Sequence, residues 1–223
     1  MAKPRALPTI KIERPRLPIH LEALTLSPED LLDDNLIRQS LLQDQVLDSL
    51  DSKSLGLIQT RLQQLSLRYA HLPKLEAIDG IWQSLDLSNS ELGKASLSRL
   101  EASQCKALGL LAQEASFTDV VFRDCNFSLA QFGRARFKQV HFENCLIQEA
   151  DFQASRFNQV SFRNCDLSGC DFSEAVHSHL DLRGSLLEGI RFRPQDISGL
   201  ILEAAQAPAL MPLLGVRLAE LAD

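Results

Sequence analysis

The sequence is short of the features that mark enzymes, membrane proteins and secreted domains. In 223 residues no stretch approaches the roughly 18 consecutive apolar residues of a membrane span. The amino-terminal residues are basic and proline-rich rather than apolar, so no secretory signal is predicted. Glycine-rich phosphate loops, Gly-x-Ser-x-Gly and His-Glu-x-x-His are all missing. These absences predict a non-catalytic cytoplasmic protein without a cofactor.

The charge balance narrows the choice of partners. The formal net charge is −6, whereas nucleic-acid-binding surfaces are usually basic. We therefore do not expect direct binding of nucleic acid. The hydrophobic content of 45% and the charged content of 23% are those of an ordinary globular protein.

A period of five residues runs through most of the chain. Counting in fives from Ile37 to Leu202 gives 34 positions, of which 32 are apolar, although the average hydrophobic content would give only about 15. The two exceptions are Ser52 and His177. All eleven Phe residues occupy this register, and all five cysteines occupy a second register two residues earlier.

Similarity also recurs every twenty residues, as in ARFKQVHFENC from Ala135 and SRFNQVSFRNC from Ser155. A period of five fits neither the 3.6 of an α-helix nor the 2.0 of a flat strand. It fits a chain that turns a corner every five residues and closes a square coil every twenty. Such coils bury their apolar side chains by stacking on one another.

Several five-residue units resemble the consensus of the pentapeptide-repeat family, Ala-(Asp/Asn)-(Leu/Phe)-(Ser/Thr/Arg)-X. They are Ala150-Asp151-Phe152-Gln153, Cys165-Asp166-Leu167-Ser168, Cys170-Asp171-Phe172-Ser173 and Leu180-Asp181-Leu182-Arg183. The resemblance covers about residues 35–204 and is strongest over 115–194. It implies an all-β solenoid, a right-handed quadrilateral β-helix with a short C-terminal helical cap. Before residue 75 the units depart from the consensus, and a helix over residues 35–50 is the alternative there.

The same registers define a predicted core. Its residues are Phe117, Phe122, Phe127, Phe132, Phe137, Phe142, Phe152, Phe157, Phe162 and Phe172, with the cysteine column Cys105, Cys125, Cys145 and Cys165. Cysteines one coil apart are spaced for disulfides or thiolate ligation. Packing as small apolar side chains in reduced form is the alternative that we favour, because buried Cys behaves as a small hydrophobe. No metal site is predicted.

The chain divides into three predicted parts. Residues 1–34 form a proline-rich arm with a short helical turn near Ser27–Asp34, residues 35–203 form the β-helix, and residues 204–223 form an apolar C-terminal cap or dimerisation segment. We expect Gly215 to end a short helix, with residues 216–218 returning as a strand. The resemblance implies a homodimer joined through this segment, and capping of the chain's own last coil is the alternative. The predicted interface residues are Leu210, Met211, Leu213, Leu214, Val216 and Leu218.

Few polar residues stand out as candidates for chemistry. His177 occupies a core position, either in a local site with His179 and Asp181 or in a loosened coil, and His141 is expected to be solvated. The column Arg123, Glu143, Arg163 and Arg183 is either a recognition face or a solvated wall. A filled rod offers no enclosed pocket for acid–base catalysis.

Two functions are compatible with these features of the sequence. The first is a non-catalytic protein-interaction scaffold that presents rigid β-helix faces to a partner not identifiable from the sequence. The second, implied by the resemblance, is a DNA-mimicking modulator of a type II topoisomerase such as gyrase. Mimicry needs dense negative charge, but residues 123–163 lean basic, so the sequence favours the scaffold.

Overall fold

The chain folds into a parallel β-solenoid in the computed structural model, which describes residues 10–27, 31, 35–217 and 219. Its strands are β1 (Glu22–Ala23), β2 (Asn35–Arg38), β3 (Ser40–Gln43), β4 (Leu55–Ile58), β5 (Arg61–Gln63), β6 (Glu76–Gln83), β7 (Ser96–Ser103), β8 (Ser116–Arg123), β9 (Arg136–Glu143), β10 (Arg156–Arg163) and β11 (Val176–Asp181). From β2 to β10 each pairs in parallel with the strand twenty residues later, as in Phe117↔Phe137. The predicted fold class is confirmed. The alternative helix over residues 35–50 is wrong, because β2 and β3 lie there.

Each coil has four walls, named here from the coil that begins at residue 76. Wall A is residues 76–78, wall B 80–83, wall C 85–88 and wall D 90–93, each with the positions twenty residues before and after. Walls A and B form the continuous ladders of β6 to β10. Walls C and D meet the next coil by single bridges, such as Asp86↔Lys106 and Glu91↔Leu111.

The corners are made by residues with left-handed backbone. Of the 33 positions counted in fives from 39 to 199, 31 have positive φ; the exceptions are Ser54 and Pro194. None of the 33 is Val, Ile or Thr, the residues whose branched Cβ tolerates this conformation least. Proline cannot adopt it at all, and at Pro194 a 3-10 turn replaces the corner.

The core is a set of stacked aromatic columns. Ring centroids of Phe122 and Phe142 are 4.9 Å apart, and those of Phe142 and Phe162 are 4.6 Å apart. Two further columns stack in the same way: Phe117, Phe137 and Phe157, and Phe132, Phe152, Phe172 and Phe192. The ten predicted core Phe residues are at most 5% exposed. The early coils are filled by Leu around Trp82 and leave a cavity of about 30 Å³.

The first coil is covered by the end of the arm. β1 pairs with β3, and the side-chain amide of Gln45 bonds the arm backbone twice, accepting from the Leu26 N–H and donating to the Leu24 carbonyl, both at 2.8 Å. This amide serves a sheet edge that would otherwise have no partner. Of the helical turn predicted over Ser27–Asp34, most lies outside the described residues, and Leu31 is buried in the core.

The last coil is covered by helical turns. They are 3-10 turns at Pro194–Asp196, Ala204–Gln206 and Met211–Leu214, with α1 (Ala207–Leu210) between the last two. The Gln206 amide donates to the Leu182 and Ser185 carbonyls at 2.8 and 2.6 Å. Gly215, with φ 71°, ends the segment as predicted.

The predicted return strand after this segment is not formed at Val216 or Arg217, and Leu218 lies outside the described residues. None of the helices in the described part of the chain has the length and apolar character needed to cross a membrane.

Candidate interaction surfaces

His177 has a structural partner rather than catalytic ones. Its Nε2 donates to the Asp196 carbonyl at 2.8 Å, so it links the last full coil to the 3-10 turn that follows. His179 lies beside Ser178, and Asp181 is bound by Arg163 and Arg183. The three residues of the local site predicted around His177 therefore do not converge.

His141 is not solvated as predicted. It is half-buried on wall B, hydrogen-bonded to the buried Ser161 hydroxyl and to the backbone of Ile10 in the arm. Burial lowers its pKa below the ordinary value, although the bond to Ile10 works in the opposite direction. The imidazole is therefore neutral near pH 7, and it fastens the arm to the wall.

The cysteine column is buried. Cys105, Cys125, Cys145 and Cys165 are at most 3% exposed, and all five cysteines are free thiols. Their sulfurs approach backbone carbonyls, as Cys125 Sγ does that of Arg123 at 3.1 Å. Burial raises the pKa of Cys170 to about 12. The described residues contain no cluster of three or more His, Cys, Asp or Glu suited to a metal ion.

Wall B carries the predicted charged column, and its charges neutralise one another. Arg123 lies 3.1 Å from Glu143 and 3.7 Å from Glu101. Arg163 and Arg183 both contact Asp181, at 2.5 and 2.8 Å. These pairs between and within coils leave little free charge for a partner.

Wall A differs, because its cations have no acidic partner in the described part of the chain. Arg136 and Lys138 lie on β9, and Arg156 lies opposite Arg136 on β10. All three are exposed, and none forms a salt bridge with any described residue. Between Ser96 and Ser178 the outward positions of this wall hold no Asp or Glu. We call these three residues the basic wall.

The corner between walls A and B holds the arm. The Glu13 N–H donates to Asp119 at 3.0 Å, and the Arg16 N–H donates to Asp79 at 3.1 Å. In return, the side-chain amide of Gln139 donates to the Lys11 carbonyl at 2.7 Å. The side-chain amide of Gln59 likewise donates to the Arg16 carbonyl at 2.9 Å. The arm thus descends the rod from the coil of residue 139 to the first coil.

The predicted interface residues are divided between the core and the surface. Leu210 is 4% exposed and packs in the core of its own chain, which removes it from a surface available to a partner. Met211 and Leu213 are half-buried, and Leu214 and Val216 are 51% and 44% exposed. Leu210 therefore caps the last coil of its own chain, as the alternative prediction has it. Leu214 and Val216 remain as an exposed apolar patch.

Comparisons with known proteins agree with this architecture. Residues 115–192 match the family model described as a pentapeptide repeat region, within the span where the five-residue pattern is strongest. Trypsin-treated QnrB1, a plasmid-mediated fluoroquinolone resistance protein, is 22% identical over 90% of this chain and 99% of its own, with a TM-score of 0.57. HetL, a pentapeptide repeat protein involved in heterocyst differentiation regulation from the cyanobacterium Nostoc sp. strain PCC 7120, is 15% identical over 76% and 90% of the two chains, with a TM-score of 0.48. No curated protein matches.

By fold, the molecule is a quadrilateral β-solenoid like that of QnrB1. By sequence, its residues 115–192 are similar to the pentapeptide repeat region of that family model.

Proposed function

We propose that the protein is a non-catalytic cytoplasmic scaffold that binds an acidic surface of a partner protein through the basic wall. The observation that carries this proposal is the exposed cluster of Arg136, Lys138 and Arg156, which forms no salt bridge with the residues that the structure describes. It stands out in a protein whose net charge is −6.

The register of β9 and β10 brings two positive charges together, which destabilises the wall. Arg136 and Arg156 are directly opposite in neighbouring strands, where like charges are destabilising. A carboxylate from a partner would relieve the repulsion, and Arg can bind it with two parallel hydrogen bonds. The flat ladder of wall A holds these side chains at fixed spacing.

Affinity capture with charge-reversal variants tests the proposal. The chain is immobilised in three forms, unaltered, with Arg136→Glu and Arg156→Glu together, and with Lys106→Glu, and is exposed to lysate of the source cells. Lys106 is an exposed cation on the opposite wall C, so it serves as the matched control. We expect a stoichiometric protein that the double variant loses and the control retains. Capture of the same proteins by all three forms contradicts the proposal, as does capture that nuclease abolishes.

Modulation of gyrase by DNA mimicry is the second candidate, favoured by the fold shared with a fluoroquinolone resistance protein and by the net negative charge. The basic wall opposes it, because a mimic of duplex DNA needs negative charge along the rod. Supercoiling by gyrase, measured with and without a quinolone, decides the matter. The absence of any effect at micromolar protein removes this candidate.

We further propose a homodimer joined through the exposed apolar patch of the C-terminal segment. Leu214 and Val216 are large apolar residues exposed in its described part, and closed twofold dimers are the commonest oligomers. Sedimentation of the unaltered chain and of Leu214→Glu gives the test. A dimer converted to a monomer by the substitution supports the proposal, and a monomeric unaltered chain overturns it.

A further inference from the structure

The corner between walls A and B carries a column of long polar side chains. From the first coil upward they are Gln39, Gln59, Asp79, Arg99, Asp119, Gln139, Gln159 and His179. All eight have left-handed backbone, so successive side chains leave the rod at the same corner. We call this column the corner track. Arg99 binds Asp79 through two nitrogens, at 2.7 and 2.8 Å, and so fixes that carboxylate.

The corner track forms hydrogen bonds with the backbone of the arm rather than with its side chains. Two carboxylates accept arm N–H groups, and two amides donate to arm carbonyls, all within 3.1 Å. Charged acceptors make the stronger kind of hydrogen bond. Main-chain recognition of this sort accepts any segment that can present its N–H and C=O groups at the same spacing.

The spacing of the arm matches that of the rod. Glu13 and Arg16 are three residues apart, and their acceptors, Asp119 and Asp79, are two coils apart. A polyproline II segment advances about 3.1 Å per residue, or about 9.3 Å over three residues. Two coils at the strand spacing of about 4.8 Å advance about 9.6 Å. Pro15 and Pro18 favour this extended conformation in the arm.

The part of the arm that lies on the corner track is basic and is not buried. Residues 10–16 contain Lys11, Arg14 and Arg16 against the single acid Glu13, and they lie along a track that includes Asp79 and Asp119. None of residues 10–17 is buried. Residues 10–16 are therefore held mainly by polar bonds at the surface, and this part of the arm can leave without opening the core.

We infer that the corner track is a recognition site for extended, basic, proline-containing segments, and that residues 10–16 occupy it as an internal ligand with which a partner's segment competes. The corner track adjoins the basic wall, since Gln139 follows Lys138, but it consists of different residues, and the inference does not depend on the function proposed for that wall. The arm then controls access to the corner, since a partner binds only when the arm is displaced.

A labelled synthetic peptide of residues 10–20 tests this inference on the full chain. The host carries Glu13→Pro and Arg16→Pro, which remove the two donating N–H groups of the resident arm and leave the track intact. Because a tethered arm competes at a millimolar effective concentration, we expect the peptide to bind this host at least about tenfold more tightly than the unaltered chain.

Two matched controls make the result specific. In the same host, Asp119→Asn should weaken peptide binding, and Asp124→Asn, five residues further along the same coil, should not. Methylating the peptide nitrogen of Glu13 should weaken binding about tenfold, the value of one hydrogen bond to a charged group. The same change at Arg14 should have little effect. Equal binding to both hosts, or equal effects of either member of a control pair, overturns the inference.

Discussion

At the residue scale, an Asp or Asn directly before a core residue on wall C or D binds the turn that follows it. The Asp151 carboxylate accepts the Gln153 N–H at 2.8 Å, and the Asn126 side chain accepts the Ser128 N–H at 2.9 Å. These walls meet the next coil by single bridges, so the short polar side chain binds the turn locally. This local hydrogen bond gives a physical reason for Asp or Asn at the second position of the consensus.

Two buried serines allow a matched test at this scale. Ser52 and Ser155 are both fully buried, but among the described residues only Ser155 has a partner for its hydroxyl, the Phe132 carbonyl at 2.7 Å. We expect Ser155→Ala to lower the free energy of unfolding by about 1 kcal/mol, and Ser52→Ala to leave it unchanged or raise it, because an unsatisfied buried hydroxyl is costly. Denaturant titration measures both. Equal losses would show that Ser52 is satisfied after all.

At the scale of one coil, the aromatic column sets the contribution of each Phe. Phe142 is fully buried between Phe122 and Phe162, and neighbouring coils fix its position. We expect Phe142→Ala to destabilise by about 3–5 kcal/mol, as large-to-small core changes do. Phe142→Leu, which keeps most of the volume, should cost clearly less. A loss below about 1 kcal/mol for the alanine variant contradicts the role of this side chain in the core.

The coils before residue 75 show how far a periodic pattern can be trusted. The apolar register continues through them, but polar residues at inward positions leave a helix as an alternative. The structure resolves the conflict, because Gln45 bonds the arm at the end of the sheet and Thr60 is simply buried without a partner for its hydroxyl among the described residues. An end coil has only one neighbouring coil, so its sequence obeys different constraints from those of the middle.

At the scale of the whole molecule, ion pairs at twenty-residue spacing tie coil to coil. Arg68 bonds Asp48 at 2.6 Å, and Arg99 bonds Asp79 at 2.7 Å. In each pair the hydrogen bond from the arginine holds the pKa of the carboxyl below its ordinary value of 3.8. The stabilisation is therefore present above pH 3.8 and is lost as the pH falls through the lowered value.

We accordingly expect the contribution of these two ion pairs to be level between pH 7 and about pH 5 and to fall below about pH 4. The lowered pKa of His141 adds a separate loss of stability that begins as the pH falls below 6.5. Urea unfolding midpoints at pH 7, 5, 4 and 3 measure this dependence. The double variant Asp48→Asn and Asp79→Asn should be less stable at pH 7 and should lose less on acidification. A midpoint of the unaltered chain that is constant down to pH 3 would contradict the assignment.

The amino-acid sequence by itself determined the solenoid, because a period of five held in phase over 34 units assigns every side chain to a wall, a corner or the interior. Only the tertiary structure decided which charges are free. Arg163 is neutralised by Asp181 on the next coil, whereas Arg136 meets another arginine. The path of the arm and the burial of Leu210 were decided in the same way. These features depend on distances between residues that are far apart in the sequence, and no local sequence pattern indicates such distances.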